Sequence, residues 1–383
     1  MEFVIQKNDL LRELQTVTGV VEKRATLPIL ANLLLETAGD GIRVGASDLE
    51  VTIRGTAKAT VVQEGAVTLP AGKLHEIARS LPDAEVQFKL LDRNQMKISC
   101  ERTRYKIAGQ APDDFPKFPE IDVASGIELP GRALWEMIER VTFAITTEDP
   151  RYSLNGALVL LEKGSITLVA TDGHRLAFAT RKADVEPEGG ELKVIVPRKA
   201  LAEVSKLGAD LSSDDRIAFG RVGNHVFFKV RDHVLTSTVL EGNFPRYENV
   251  MPESCGIEIA LSTEELTNAV RRVSLLAADR LGRAVRFSLS SGKLELFSQT
   301  ELGEAQEALS VDYDGAAMEI GFNARYLLDF LGAVGTPSVQ LGLNPTRPGD
   351  DAKKADPGDK PGQFRPHPAK GLDYRYIVMP MHL

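Results

Sequence analysis

Cysteine is almost missing from this chain: Cys100 and Cys255 are the only two among 383 residues. They stand far apart and in no metal-like spacing, which excludes a thiolate metal cluster and suits a reducing compartment. Long hydrophobic runs are missing too. No apolar stretch approaches the roughly 18 residues that a membrane span needs. The opening MEFVIQKNDLLREL is amphipathic and has no basic-then-apolar leader, so a cytoplasmic protein is expected. Positive charge is short: 46 Lys and Arg against 54 Asp and Glu leave a net −8, which counts against tight binding of nucleic acid. Enzymatic signatures are absent as well, with no H-E-x-x-H, CxxC pair, P-loop or nucleophile elbow. Asp172 and His174 in TDGHRLA, with His225 and His233 further on, offer the ingredients of a two-histidine, one-carboxylate metal site. A histidine in a turn more often packs or hydrogen-bonds, and the expectation is a protein without catalytic residues, metal or cofactor.

What the chain does have is repetition. At 43% hydrophobic and 26% charged it has the makeup of a folded protein, and its length suggests two to four domains. LPAGKLHEI, VPRKALAEV and FNARYLLDF begin at residues 69, 196 and 322 and share an apolar residue, a Leu five later and an acid seven later. Earlier in each third, apolar residues recur at helical spacing: Leu10, Leu14, Val17; Leu134, Ile138, Val141; Leu266, Val270, Val273. STEE at Ser262–Glu265 reads as a capping box, and Pro70 and Pro197 sit where a helix's first turn tolerates a missing N–H. The expected helices cover 7–24, 72–80, 131–141, 197–207, 262–273 and 322–333. Between them GIRVGASDLEVTIRGTAKATVV, SITLVATDGHRLAFAT, HVFFKVRDHVLTSTVL and KLELFSQT alternate like strands. The fold class is therefore α+β, three tandem copies of one domain over 1–125, 126–250 and 251–383.

Two segments stand outside the repeat. Asn344 to Gly371 holds six prolines, four glycines and ten charged residues, so it is expected to be a mobile loop unable to complete a sheet. The terminal YIVMPMHL is the opposite, almost wholly apolar. It is either a last strand tucked into the core or the wall of a binding surface.

KRATLPILANLLLE, RYSLNG, TDGHRLA, EGNFPRYENVMP, GFNARYLLD and VMPMHL, in this order, resemble the bacterial DNA polymerase III β subunit family, the sliding clamps. The resemblance spans the chain except the 344–371 segment, which is longer than the hairpin usual there. It implies a head-to-tail homodimer of three-domain subunits closed into a ring around duplex DNA, helices lining the hole and sheets forming the outer wall. Such a clamp does no chemistry and tethers a polymerase at the primer end. The charge pattern agrees: the six helix windows carry more Lys and Arg than Asp and Glu, and the acidic excess lies elsewhere. The alternatives are a specialised second clamp serving repair or drug resistance and a metal-dependent hydrolase.

The resemblance also implies sites. DNA would meet Arg24, Arg151, Tyr152, Arg198 and Lys199; the family often has a second aromatic after the tyrosine, where this chain has Ser153. Partners such as the polymerase III α subunit, the clamp loader, other polymerases and repair proteins would insert short motifs, typically a Gln followed by Leu and Phe, into an apolar groove. Its walls would come from Thr171, Gly173, His174, Arg175 and Leu176, from Pro245 and Val250, and from Asn323 and Tyr326. The C-terminal strip would add Val378, Met379, Pro380, Met381, His382 and Leu383. His382 stands where the family commonly has Arg, and Asn249 where an Arg is frequent. The dimer seam would use Leu275 and Leu276 against Lys73 and Tyr105. The family's place of work is the cytoplasm, at the nucleoid.

Overall fold

The computed structural model describes residues 1–22, 27–146, 152–277, 284–344, 360–369 and 371–381, Tyr152 by its backbone alone. Six α-helices form among them: α1 (Lys7–Val17), α2 (Ala71–Ser80), α3 (Gly131–Val141), α4 (Arg198–Gly208), α5 (Thr263–Val273) and α6 (Ala324–Ala333). Each buries the stripe that its spacing specified, Leu10, Leu14 and Val17 in α1 and Leu266, Val270 and Val273 in α5. α1 is shorter than the 7–24 window because past Thr18 the bonds tighten to three-residue spacing, Val20 N donating to Val17 O and Val21 N to Thr18 O. α5 starts where Ser262 Oγ accepts from Glu265 N at 3.3 Å. Asn323 does the same for α6, taking the amides of Arg325 and Tyr326. Pro70 and Pro197 end the strands before α2 and α4 and serve as N-caps, one position earlier than expected.

The strands are antiparallel throughout, and each third contributes two three-stranded meanders. The early ones are Asn32–Ala38, Gly41–Ser47, Val51–Lys58; Gly156–Glu162, Ser165–Thr171, Arg175–Lys182; and Ala284–Ser290, Lys293–Thr300, Gly303–Ser310. The late ones are Glu85–Leu90, Gln95–Cys100, Thr103–Ala108; Arg216–Val222, His225–Val230, His233–Thr238; and Ser338–Leu343, Gly362–His367, Asp373–Val378. Twice, the third strand of an early meander pairs with the last strand of the next third's late meander. Val51–Lys58 pairs with His233–Thr238, and Arg175–Lys182 with Asp373–Val378, each junction completing an eight-stranded sheet. Two strands of these classes, Thr103–Ala108 and Gly303–Ser310, instead end a five-stranded and a four-stranded sheet.

Because sheets run across the thirds, the chain's compact units are two: Met1–Trp135 with Val196–Val239, and Glu136–Ile195 with Leu240–Leu383. The second is built on a cluster of Leu158, Val169, Leu176, Phe178, Ile195, Phe244 and Ile377. At about 1.5–3 kcal/mol for each large apolar side chain buried, this cluster is what holds the floor of the site described below.

The expectation of a loop over 344–371 is corrected at its far end. Gly362–His367 is a strand inside the sheet, with Phe364 fully buried. Pro366 is tolerated there because pairing with Asp373–Val378 stops at Phe364, so its missing N–H is not needed on that side. Residues 345–359 and 370 lie outside the described residues. No helix among the described residues is long and apolar enough to cross a membrane.

Candidate functional site

The turn TDGHR between two strands of the second unit is fixed by its own side chains. Asp172 Oδ1 accepts from the amides of His174 (2.9 Å) and Arg175 (3.0 Å), and Thr171 Oγ1 accepts from Gly173 N at 3.1 Å. Gly173 stands at φ +89°, a conformation that favours glycine. The turn delivers Arg175 inward, where its side chain is 8% exposed. Its Nε donates to Asp172 Oδ2 (3.0 Å), Nη1 to Asp329 Oδ2 (2.6 Å) and Nη2 to Phe143 O (2.7 Å), and it lies 4.3 Å above the Tyr326 ring. One guanidinium thus links the turn to α6 and to the short Thr142–Ala144 helix, each of its three nitrogens donating one of these bonds.

Beside this turn is a cavity of about 160 Å³ lined by Leu154, Thr171, Gly173, Arg175, Leu176, Pro245, Arg246, Tyr247, Val250, Ile377 and Met379. Its walls are mostly apolar, and Val250 and Met379 are each 40% exposed at its mouth. The Tyr247 phenol, half-buried against Phe178, has its pKa pushed up to about 12 by burial and the nearby Glu248 charge, so it stays neutral. The C-terminal strip closes one side. Asp373–Val378 is a sheet strand, after which Met379 N donates to His174 O (2.8 Å) and Met381 N to Gly321 O (2.9 Å). The strip is a core strand up to Val378 and a cavity wall at Met379.

Of the residues expected in a groove, Thr171, Gly173, Arg175, Leu176, Pro245, Val250 and Met379 line the cavity together. His174 contributes its carbonyl while its side chain is exposed. Asn323 caps α6, and Tyr326 lies under Arg175. Val378 is fully buried, and its neighbour Ile377 lines the cavity instead, since successive strand residues face opposite ways. Pro380 and Met381 are half-buried, and His382 and Leu383 lie outside the described residues. Sequence reasoning missed Leu154, Arg246, Tyr247 and Ile377. The first three lie inside quoted motifs, and strand alternation would have found the fourth.

The residues expected at DNA are described only in part. Arg24 and Arg151 lie outside the described residues, and Tyr152 opens the short Tyr152–Leu154 helix. Arg198 is exposed at the start of α4, whereas the Lys199 ammonium is paired with Asp48 and, at 3.5 Å, with Glu22. At the expected seam, Leu275 is 82% exposed and Leu276 half-buried, while Leu302, which the sequence did not single out, is 91% exposed. Lys73 pairs with Glu76, and the Tyr105 hydroxyl lies 3.4 Å from Ser80 Oγ. For the hydrolase alternative, His233 Nε2 is held by Glu13 at 2.9 Å, and among the described residues no three His, Cys, Asp or Glu are grouped as a metal site.

Three family models match in tandem: the DNA polymerase III beta subunit N-terminal domain over residues 1–119, its central domain over 128–246 and its C-terminal domain over 248–349. The beta sliding clamp of Pseudomonas putida is 35% identical over 386 residues and that of Caulobacter vibrioides 37% over 393, each covering 100% of both chains. The crystal structure of the DNA polymerase III subunit beta from Pseudomonas aeruginosa superposes with a TM-score of 0.89 at 32% identity, again over 100% of both chains. This chain therefore belongs to the DNA polymerase III beta subunit family, the DNA sliding clamps, non-catalytic processivity factors built from three tandem clamp domains.

Proposed function

We propose that two copies of this chain close head to tail into a ring that encircles duplex DNA and tethers the replicative polymerase, each chain divided into clamp domains 1–125, 126–250 and 251–383. The observation that carries the ring is the repeated strand junction. An early meander's third strand pairs with the next third's last strand at two places, and the same rule leaves Gly303–Ser310 and Thr103–Ala108 as the unmatched ends. A second copy supplies what each end lacks, and a heterologous contact that closes makes a ring. Charge favours this pairing, since Arg104 and Lys106 lie on one end strand and Glu304 on the other, where Glu307 is already paired with Arg272 of its own chain. The exposed Leu275 and Leu302 stand beside the second strand, where Leu276 lies over Gly303. Lys73 and Tyr105 belong to the facing side.

In this reading Arg24, Arg151, Tyr152 and Arg198 approach DNA loosely from within the ring. Lys199, already paired to two acids, contributes less. The apolar cavity beside the TDGHR turn receives short motifs of the polymerase III α subunit, the clamp loader and repair proteins, with Met379 as an adaptable wall.

The test is assembly followed by topology. The wild-type protein should have a mass near twice 41.8 kDa, and Leu275→Ala with Leu276→Lys should give monomers. A single-chain mass for wild type across micromolar concentrations would sink the ring. Loaded protein should persist on circular or end-blocked DNA and slide off linear DNA, while free protein binds duplex weakly and in a salt-sensitive way. Equal, tight retention on open linear DNA at physiological salt would contradict a sliding ring.

A further inference from the structure

We infer that Arg246 is the specificity residue of the groove, selecting peptides that carry a carboxylate directly beside their apolar anchors. The inference rests on the peptide-groove reading above and names the class of peptide preferred.

Two cations line the cavity, and the structure treats them differently. Arg175 is buried, and each of its three guanidinium nitrogens already donates within the protein, to Asp172, Asp329 and Phe143 O. Arg246 is exposed and, among the described residues, makes no ion pair and no side-chain hydrogen bond. Its backbone is nevertheless fixed. Pro245 precedes it, Asn249 N donates to its carbonyl at 3.3 Å, and it caps the short Tyr247–Val250 helix whose residues form one wall. The acid nearest in sequence, Glu248, lies by the Tyr247 phenol, whose pKa is raised by burial and then by that neighbouring charge. The result is an unpaired arginine whose backbone is fixed at the edge of an apolar cavity, an arrangement suited to a carboxylate arriving with an apolar side chain.

The chain's net charge of −8 sharpens the expectation. A protein of this sign repels acidic peptides at long range, so an acid placed far from the anchors gains nothing. Only an acid within reach of Arg246 recovers the loss. Preference should therefore depend on where the acid sits, not on the peptide's total charge.

The experiment compares synthetic peptides that share Leu and Phe anchors and differ only in carrying Asp or Asn between them, with a third peptide carrying the Asp several residues outside. Binding to the full-length protein is measured by fluorescence anisotropy at pH 8 and two salt concentrations. For wild type the Asp-between peptide should bind about 2- to 5-fold more tightly than the Asn peptide, as for one exposed pair, and the ratio should shrink at high salt. The outside Asp should give no gain. In Arg246→Gln the ratio should fall to one, and in Arg246→Glu it should invert, with thermal melting confirming that both variants fold. Equal binding of the Asp and Asn peptides by wild type, or a preference that survives Arg246→Gln, would overturn the assignment to Arg246 while leaving the groove itself standing. If neither peptide binds, or if Val250→Asp at the mouth leaves binding intact, the groove reading fails instead.

Discussion

The two turns SDLEV and TDGHR, at residues 47–51 and 171–175, are the same device used twice with different outcomes. In each, an Asp accepts two amides, Asp48 those of Glu50 and Val51 and Asp172 those of His174 and Arg175, while a preceding hydroxyl takes the amide at the left-handed position. Leu49 at φ +81° and Gly173 at φ +89° occupy that position. Each turn also leads into a strand that makes one of the two junctions, and each junction has an FPxF or FPxY loop, Phe115–Phe118 or Phe244–Tyr247. Beyond this the regions part. In the first, Phe118 lies against Gly45, where an added Cβ would stand 2.4 Å from the ring, and Arg54 covers its face at 5.4 Å. In the second, the corresponding positions are Val169 and Phe178, both in the core, and Tyr247 rests on Phe178 at the side of the cavity. A glycine lets one aromatic close onto the sheet; a valine and a phenylalanine stand under the other, at the side of the cavity.

The largest way to break the comparison is at the ion pairs. Arg175→Ala removes the charge that Asp172 and Asp329 share, leaving two carboxylates in a partly dry site, and should cost about 3–5 kcal/mol. Lys199→Ala at the first turn should cost only about 1 kcal/mol, because Asp48 keeps its two backbone amides. Urea midpoints at unchanged slope report both, and similar losses would mean that the two turns are equally strained by charge removal.

Next in size is the C-terminal wall. Deleting Met379 to Leu383 should abolish binding of polymerase-type peptides, since each lost apolar anchor contact is worth about 1.5–3 kcal/mol. The dimer should survive, because the proposed seam uses Leu275, Leu276 and the end strands. Unimpaired peptide binding by the truncated protein would reduce the strip to a core strand.

A third substitution attacks the difference itself. Gly45→Val places a branched side chain where Phe118 lies and should push the ring outward, off Arg54, at about 1–3 kcal/mol. A shift in the midpoint of that size would support the role given to Gly45. A neutral substitution would refute it.

How far this was legible in the sequence depends on the range of the forces involved. α5 could be read from Ser262 and three apolar residues because caps and helical stripes are local. The junctions could not be read this way. Nothing in HVLTST or VTIRGTAK names the other as partner, since pairing is decided by burial across long separations. The Gly362–His367 strand was hidden by its prolines, and it forms because Phe364 is drawn into the core. At the site, seven of the residues quoted from the motifs line one cavity. They did not reveal that Arg175 would be spent on Asp329, 154 positions away, and Arg246 left over.

The smallest effect concerns the left-handed position, where the two turns differ most simply. A leucine held there costs roughly 1–2 kcal/mol in sterics. Leu49 is 56% exposed, so its side chain recovers little of that through burial. Leu49→Gly removes the steric cost and adds about 0.5–1 kcal/mol of unfolded-state entropy, and the balance should be a gain of about 0.5 kcal/mol. Gly173→Ala runs the other way and should lose about 1 kcal/mol. Opposite signs of this size in urea midpoints would show that the turns are one conformation with a better and a worse occupant. If Leu49→Gly instead destabilises by more than about 1 kcal/mol, Leu49 has packing partners in the assembled protein that a single chain does not supply. The same measurement on the Leu275→Ala, Leu276→Lys monomer then tells whether a second copy provides them.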